Sequence, residues 1–200
     1  MNNDETDLDC GGGACAPCTD LEGCALPSDC SDESCLVARC QRMWINEIHY
    51  DNAGTDVDES VEVAGTAGAD LTGWKIVLYN GTDGQPYGVV DLAGVIPDQQ
   101  AGKGTLTFPA PGMQNGSPDG LALVLPGPPP GFALQLLSYE GAFIAGSIGM
   151  SNDIGVSETG LEGVGNSLQL TGTGSKGDDF TWTAPSTASP GGVNTGQTFN

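Results

Sequence analysis

The chain is poor in positive charge and in histidine, and beyond residue 40 it has no cysteine. Five Lys and Arg stand against 26 Asp and Glu, a formal net charge of −21. Nucleic-acid binding depends on Lys and Arg neutralising phosphates, and adhesion to anionic lipid needs the same residues, so neither partner is expected. No apolar run approaches the roughly 18 residues of a membrane span, so no membrane insertion is expected. A single histidine, His49, excludes a His-cluster metal site and would have to serve any Ser-His-Asp or Cys-His arrangement. There is no Gly-x-Ser-x-Gly elbow and no phosphate-cradling Gly-x-x-x-x-Gly-Lys-Ser/Thr loop. Glu and Lys are too sparse, and Gly too frequent, for a long amphipathic helix.

What is present reads as an all-β chain. Glycine (32) and proline (13) are abundant, and short Val, Ile, Leu, Phe and Trp runs lie between them. Alternating or short apolar segments predict strands over residues 44–50, 57–63, 75–79, 87–92, 105–108, 121–125, 134–139, 167–171 and 180–183. Asn80-Gly81 is a strong turn signal. The expected fold is a β-sandwich of antiparallel sheets, with a barrel as the alternative. The run Pro126-Gly127-Pro128-Pro129-Pro130-Gly131 cannot supply ladder hydrogen bonds at its prolines and is expected to be a loop. Residues 141–165, rich in Gly and Ser, read as a long surface excursion able to carry binding contacts.

All seven cysteines, Cys10, Cys15, Cys18, Cys24, Cys30, Cys35 and Cys40, fall in the first 42 residues. A segment that short needs cross-links or a metal to fold, so two regions are expected: 1–42, stapled by disulfides, and 43–200, one packed β domain. Zinc is the competing reading, because Cys15 and Cys18 have the bite of half a site, but the other spacings are too wide for a second half. Disulfides imply an oxidising compartment and a secreted or cell-surface protein. Three bridges and one remaining thiol can be arranged in many ways; an interlaced pairing of Cys24 with Cys35 and Cys30 with Cys40 is the expectation. The opening residues carry neither the positive nor the apolar part of a signal peptide, so the natural start is expected upstream.

For chemistry, His49 is expected at a surface or edge-strand position. Glu47, Glu59 and Glu62 lie on neighbouring strands, where alternation places them on the solvent face of a sheet rather than in a carboxylate pair of the glycosidase kind. Asp51, Asp56, Asp58 and Glu59 crowd one loop with the Asn52 amide, and Ca²⁺, which takes about six to eight oxygens, is the cofactor such a loop could hold; an acidic hairpin turn is the plainer reading. Asp4, Glu5, Asp7 and Asp9 form a second acidic cluster of the same kind.

Residues 3–41 carry the stretch Asn3 to Gly12, then Cys15, Cys18, Cys24, Asp29-Cys30, Cys35 and Cys40-Gln41. This resembles the cysteine-rich repeat of secreted and surface proteins of myxobacteria and their relatives. In that family a further cysteine precedes the Glu-Thr-Asp stretch, which implies a partner for the odd thiol upstream of Met1. Residues 44–199 resemble the lamin-tail domain of bacterial secreted proteins. The likeness is carried by Ile45-Asn46-Glu47-Ile48, by Glu59 to Val63, by Asp70-Leu71-Thr72-Gly73-Trp74-Lys75-Ile76, by Tyr79-Asn80-Gly81 and by Ser117-Pro118-Asp119-Gly120-Leu121. Ser167 to Gly172, Asp179-Phe180-Thr181-Trp182 and Asn194 to Phe199 extend it. Ser60, where relatives carry a large apolar residue, and the proline-rich loop depart from the pattern. The resemblance implies an immunoglobulin-like β-sandwich and a non-catalytic module for attachment or interaction, with an unknown protein or cell-envelope ligand. The alternative is an accessory domain of a larger exported nuclease or phosphatase whose catalytic part lies outside this chain.

Overall fold

The computed structural model describes residues 5–31, 33–127 and 131–200, so the proline run 128–130 and Asp4 lie outside the described residues. The strands in chain order are β1 (Cys35–Leu36), β2 (Arg39–Cys40), β3 (Met43–His49), β4 (Ser60–Thr66), β5 (Lys75–Asn80), β6 (Gln85–Asp91), β7 (Lys103–Pro109) and β8 (Asp119–Val124). They continue as β9 (Ala133–Tyr139), β10 (Ile144–Ala145), β11 (Gly149–Met150), β12 (Asn152–Asp153), β13 (Asn166–Gly174), β14 (Thr181–Thr187) and β15 (Gln197–Phe199). Among the described residues there is no α-helix, only two short 3₁₀ turns, Pro27–Asp29 and Gly177–Asp179. The chain is all-β, as its composition predicts.

Two large sheets carry the fold. One has the order β14-β13-β3-β4-β7, with β15 alongside β13; the other has the order β12-β9-β8-β5-β6. Pairing is antiparallel throughout both, save for β12 with β9 and β15 with β13. Period-two alternation sends Val61 and Val63 of β4, Ile76 and Leu78 of β5, and Leu121 and Leu123 of β8 into one shared apolar cluster. Burial there is the main favourable term, roughly 1.5–3 kcal/mol for each large side chain taken fully out of water.

Two expectations need correcting. The strand predicted from residue 57 begins at Ser60, because Asp58 adopts a left-handed φ of 60°, which no strand accommodates. The stretch 141–165 is not a plain surface excursion. It contains β10, β11 and β12, and Phe143, Ala145, Ser151 and Glu158 in it are buried.

In the cysteine-rich region, bridges join Cys10 to Cys18, Cys24 to Cys35 and Cys30 to Cys40. The interlaced pairing therefore agrees with expectation, and six thiols are consumed, leaving no zinc quartet. Cys15 stands outside the three bridges, and its thiol donates to Glu5 Oε1 at 3.2 Å. The region is not a detached bead: Leu21 and Leu36 pack against the main cluster, and Arg42 N donates to Thr66 Oγ1 at 3.0 Å. Peptide mapping without reductant is expected to recover Cys24 joined to Cys35 and Cys30 joined to Cys40; a Cys24–Cys30 fragment would refute this pairing. The bridges fit an oxidising environment outside the cytoplasm.

Candidate functional site

The face of the six-stranded sheet turned away from the core was expected to meet solvent. It does not. Residues 188–199 cross it as a strap, and Glu47, Glu62 and His49 beneath are 5%, 1% and 3% exposed. Glu59, at the mouth of β4, is buried as well. Their placement on the non-core face follows the alternation; their burial comes from a covering segment that alternation along β3 and β4 does not encode. β3 also slips by one residue against β4 between Ile45 and Glu47. Ile45 and Ile48 thus both stay in the core, while Asn46 and Glu47 both turn toward the strap.

Under the strap the polar groups satisfy one another. Glu62 accepts from Asn46 Nδ2 (3.0 Å), Thr107 Oγ1 (2.7 Å) and Gly191 N (2.8 Å). Gly191 makes that approach at φ 74°, a conformation that favours glycine. Glu47 accepts from Ser167 Oγ (2.7 Å) and from Ser189 N and Oγ (both 3.1 Å). Asn194 Nδ2 donates to the carbonyls of Asn46 and Leu170, and Gln197 Nε2 donates to Asn46 Oδ1. Neither carboxylate has a basic partner among the described residues. Burial pushes Glu62 up to about 7, against the opposing pull of its donors. The far end of the strap is held by apolar contact: Phe199 and Phe180 pack on Trp44, Ala64 and Leu170.

His49 has a second anchor. Its Nδ1 lies 2.8 Å from Glu158 Oε1, and its Nε2 lies 3.1 Å from the Val57 carbonyl. Those two neighbours are acceptors, and the Asn52 amide nitrogen also stands 3.4 Å from Nε2. The hydrogen bond to Glu158 raises the His49 pKa, against desolvation. Glu158 Oε2 accepts from the backbone N–H groups of Tyr50 (2.6 Å) and Asp51 (2.8 Å). The Tyr50 hydroxyl accepts from Glu158 N at 2.7 Å, and its ring stacks on Tyr139 at 3.9 Å. One buried carboxylate thus ties the loop before β13 to the end of β3. Asn52 sits beside it, with Nδ2 donating to the Val57 carbonyl and Oδ1 buried without a hydrogen-bond partner among the described residues.

Between these two anchors is a half-enclosed cavity of about 470 Å³. Glu47, His49, Asp58 and Glu59 line it on one side, and Pro109, Ala188 and Pro190 supply apolar walls. Glu59 Oε2 accepts from Gly112 N. Of the four residues expected to hold Ca²⁺, Asp51 and Asp56 are neighbours, with Asp56 accepting from Asn52 N and Asn115 Nδ2. Asp58 and Glu59 point the loop's charge at the cavity instead. Among the described residues, three or more His, Cys, Asp or Glu ligand atoms come within 4.8 Å of one another only in groups built on disulfide cysteines. The buried character of Glu47, Glu62 and Glu158 went unread in the sequence. The available signal was an unusual run of hydroxyl and amide residues, Ser189, Asn194 and Gln197, far from any strand that needed them. No protein-family model matches this chain, and no curated protein or solved structure matches it.

Proposed function

We propose that this chain is a non-catalytic binding or attachment module of a secreted or cell-surface protein. In this reading an immunoglobulin-like β-sandwich of the lamin-tail kind stands behind a disulfide-stapled cysteine-rich repeat, and its partner is a protein or envelope component. One observation supports the non-catalytic part: His49 and Glu47, the imidazole and a carboxylate of this sheet face, are already committed to the fold. A general acid or base needs a ring nitrogen or carboxylate oxygen free to reach substrate. Both nitrogens of His49 face internal acceptors, and both oxygens of Glu47 hold internal donors. What stays open is a shaped, charged recess, which suits recognition. The purified chain is expected to leave esters, glycans and phosphodiesters unchanged over long incubation; turnover that disappears in a His49→Gln variant would overturn the reading.

A further inference from the structure

We propose that residues 188–193 of the strap form a pH-governed cover, held over Glu47 and Glu62 in mildly acidic solution and loosened from them toward neutral pH. The inference goes beyond the binding reading and holds whatever partner the module takes. It stands first on how the cover is fastened. Ser189 donates to Glu47 through N and Oγ, and Gly191 N donates to Glu62 Oε2 and Thr107 Oγ1. Gln99 Nε2, from the loop before β7, donates to the Gly191 carbonyl. The segment Ala188-Ser189-Pro190-Gly191-Gly192-Val193 thus hangs largely on two carboxylates. The second half of the strap is fastened differently: Asn194 and Gln197 bond the neutral Asn46, and Phe199 packs on Trp44. A change of charge under the strap therefore acts on 188–193 and spares 194–199.

The surroundings of the carboxylates set the direction. Asn46 and Glu47 come from β3, Glu62 from β4 and Thr107 from β7, while Ser167 and Gln169 of β13 flank Glu47. Of these groups Glu47 and Glu62 titrate, and residues 188–199 carry no charged side chain. His49, farther along β3, is engaged by Glu158; Asp58 and Glu59, before and at the mouth of β4, face the cavity; Lys103 is at the far end of β7, opposite Thr66. Burial, reinforced by the Glu47 charge, raises the Glu62 pKa from 4.5 to about 7 against the pull of its donors. The covered carboxyl holds its proton more tightly than a hydrated one does. Closure is thus fully supported below 4.5 and loses that support as pH rises through 7. The cover is also thin, because Pro190 and Gly191 are exposed on its outer side. At its root, Gln169 Nε2 holds the Thr187 carbonyl, but Gln169 Oε1 is buried without a hydrogen-bond partner among the described residues, so polar packing there is incomplete even when the cover is seated. Ala188 and Pro190 are walls of the cavity as well, so loosening the cover reshapes that recess and couples its form to pH.

Amide hydrogen exchange by NMR reads the cover directly, as protection factors corrected for the intrinsic pH dependence of exchange. Protection at the Ser189 and Gly191 N–H groups is expected to fall on the order of 30-fold between about pH 5 and pH 7, as a proton released on opening requires. Dilute urea is expected to leave this exchange unchanged, because local opening exposes little surface, whereas Leu78 and Leu121, paired in the other sheet, exchange through urea-sensitive global unfolding. Glu62→Gln, which cannot ionise, flattens the fall; Asp91→Asn, on the other sheet, retains it. Should Glu62→Gln fail to fold, the wild-type Glu62 carboxyl carbon is expected to titrate near pH 7, with the Ser189 and Gly191 amide signals shifting in step. Protection at Ser189 and Gly191 that stays constant over this range, that responds to urea as Leu78 and Leu121 do, or that keeps its fall in Glu62→Gln overturns the proposal. So does a Glu62 carboxyl that titrates near its ordinary 4.5.

Discussion

Replacing Glu158 by alanine is expected to lower the unfolding free energy by about 3–5 kcal/mol, the scale of breaking a buried ion pair from one side. The carboxylate holds the His49 ring and the backbone N–H groups of Tyr50 and Asp51 at once, and no water-facing group replaces it. After truncation His49 Nδ1 loses its partner, and two backbone donors are orphaned. Glu158→Gln keeps one acceptor oxygen and is expected to lose less. Urea unfolding checks both, with the midpoint moving and the slope constant. Combining Glu158→Ala with His49→Leu is expected to recover part of the loss, because the stranded ring nitrogen is removed together with its partner. A loss under about 1 kcal/mol for Glu158→Ala would show that the pair contributes little to stability.

Stability is expected to fall as pH rises from about 4.5 through 7, the reverse of the usual carboxylate pattern. His49 and Glu62 both have folded pKa values raised above their ordinary ones of 6.5 and 4.5. A raised value means that the folded state holds the proton more tightly. The resulting stability is complete below the unfolded pKa and is lost as pH passes through the folded one. For Glu62 the window runs from 4.5 to about 7, a difference worth about 3 kcal/mol. Asp51 and Glu140, raised by burial, act in the same direction. The lowered carboxylates Asp7, Asp29, Asp70 and Asp179 act oppositely: their stability is present above their ordinary value of 3.8 and is lost below it. The melting temperature is therefore expected to peak near pH 4.5. Glu62→Gln is expected to flatten the decline toward neutral pH. Repetition in high salt separates this from surface repulsion, which salt screens while leaving the buried group's share. A profile that Glu62→Gln leaves unchanged would show that the carboxyl does not titrate in this range.

The strands were legible where one face is apolar and the chain is regular. Val61 and Val63, or Ile76 and Leu78, need only a period of two to announce their side of a sheet. Two bridges were legible because a cysteine-rich segment without apolar bulk has few other means of holding together. The site was not legible for a physical reason. Alternation reports which side chains leave the core, and it identified Glu62 correctly in that respect; His49, expected at the surface or on an edge strand, is instead buried on β3 between β13 and β4. Alternation cannot report whether a distant segment then covers them. Glu47 meets Ser189 across 142 positions, and Glu158 reaches His49 across 109, from stretches of Gly and Ser that have no periodicity of their own. The slip between Ile45 and Glu47 is similarly silent, since a bulge shows as one misplaced residue in a run that otherwise fits.

The strap also sets an order of events. Asn46 in β3 and Gln197 in β15 bond each other's amides across 151 positions, and closing so long a loop has an entropy cost before any contact repays it. The cysteine bridges span separations of only 8 to 11 residues. Oxidation of the amino-terminal knot can therefore run ahead while the central strands wait, half-finished, with two carboxylates bare. A chain interrupted before residue 188 would carry a completed knot on a sheet that cannot close, and a protease would meet it as unfolded.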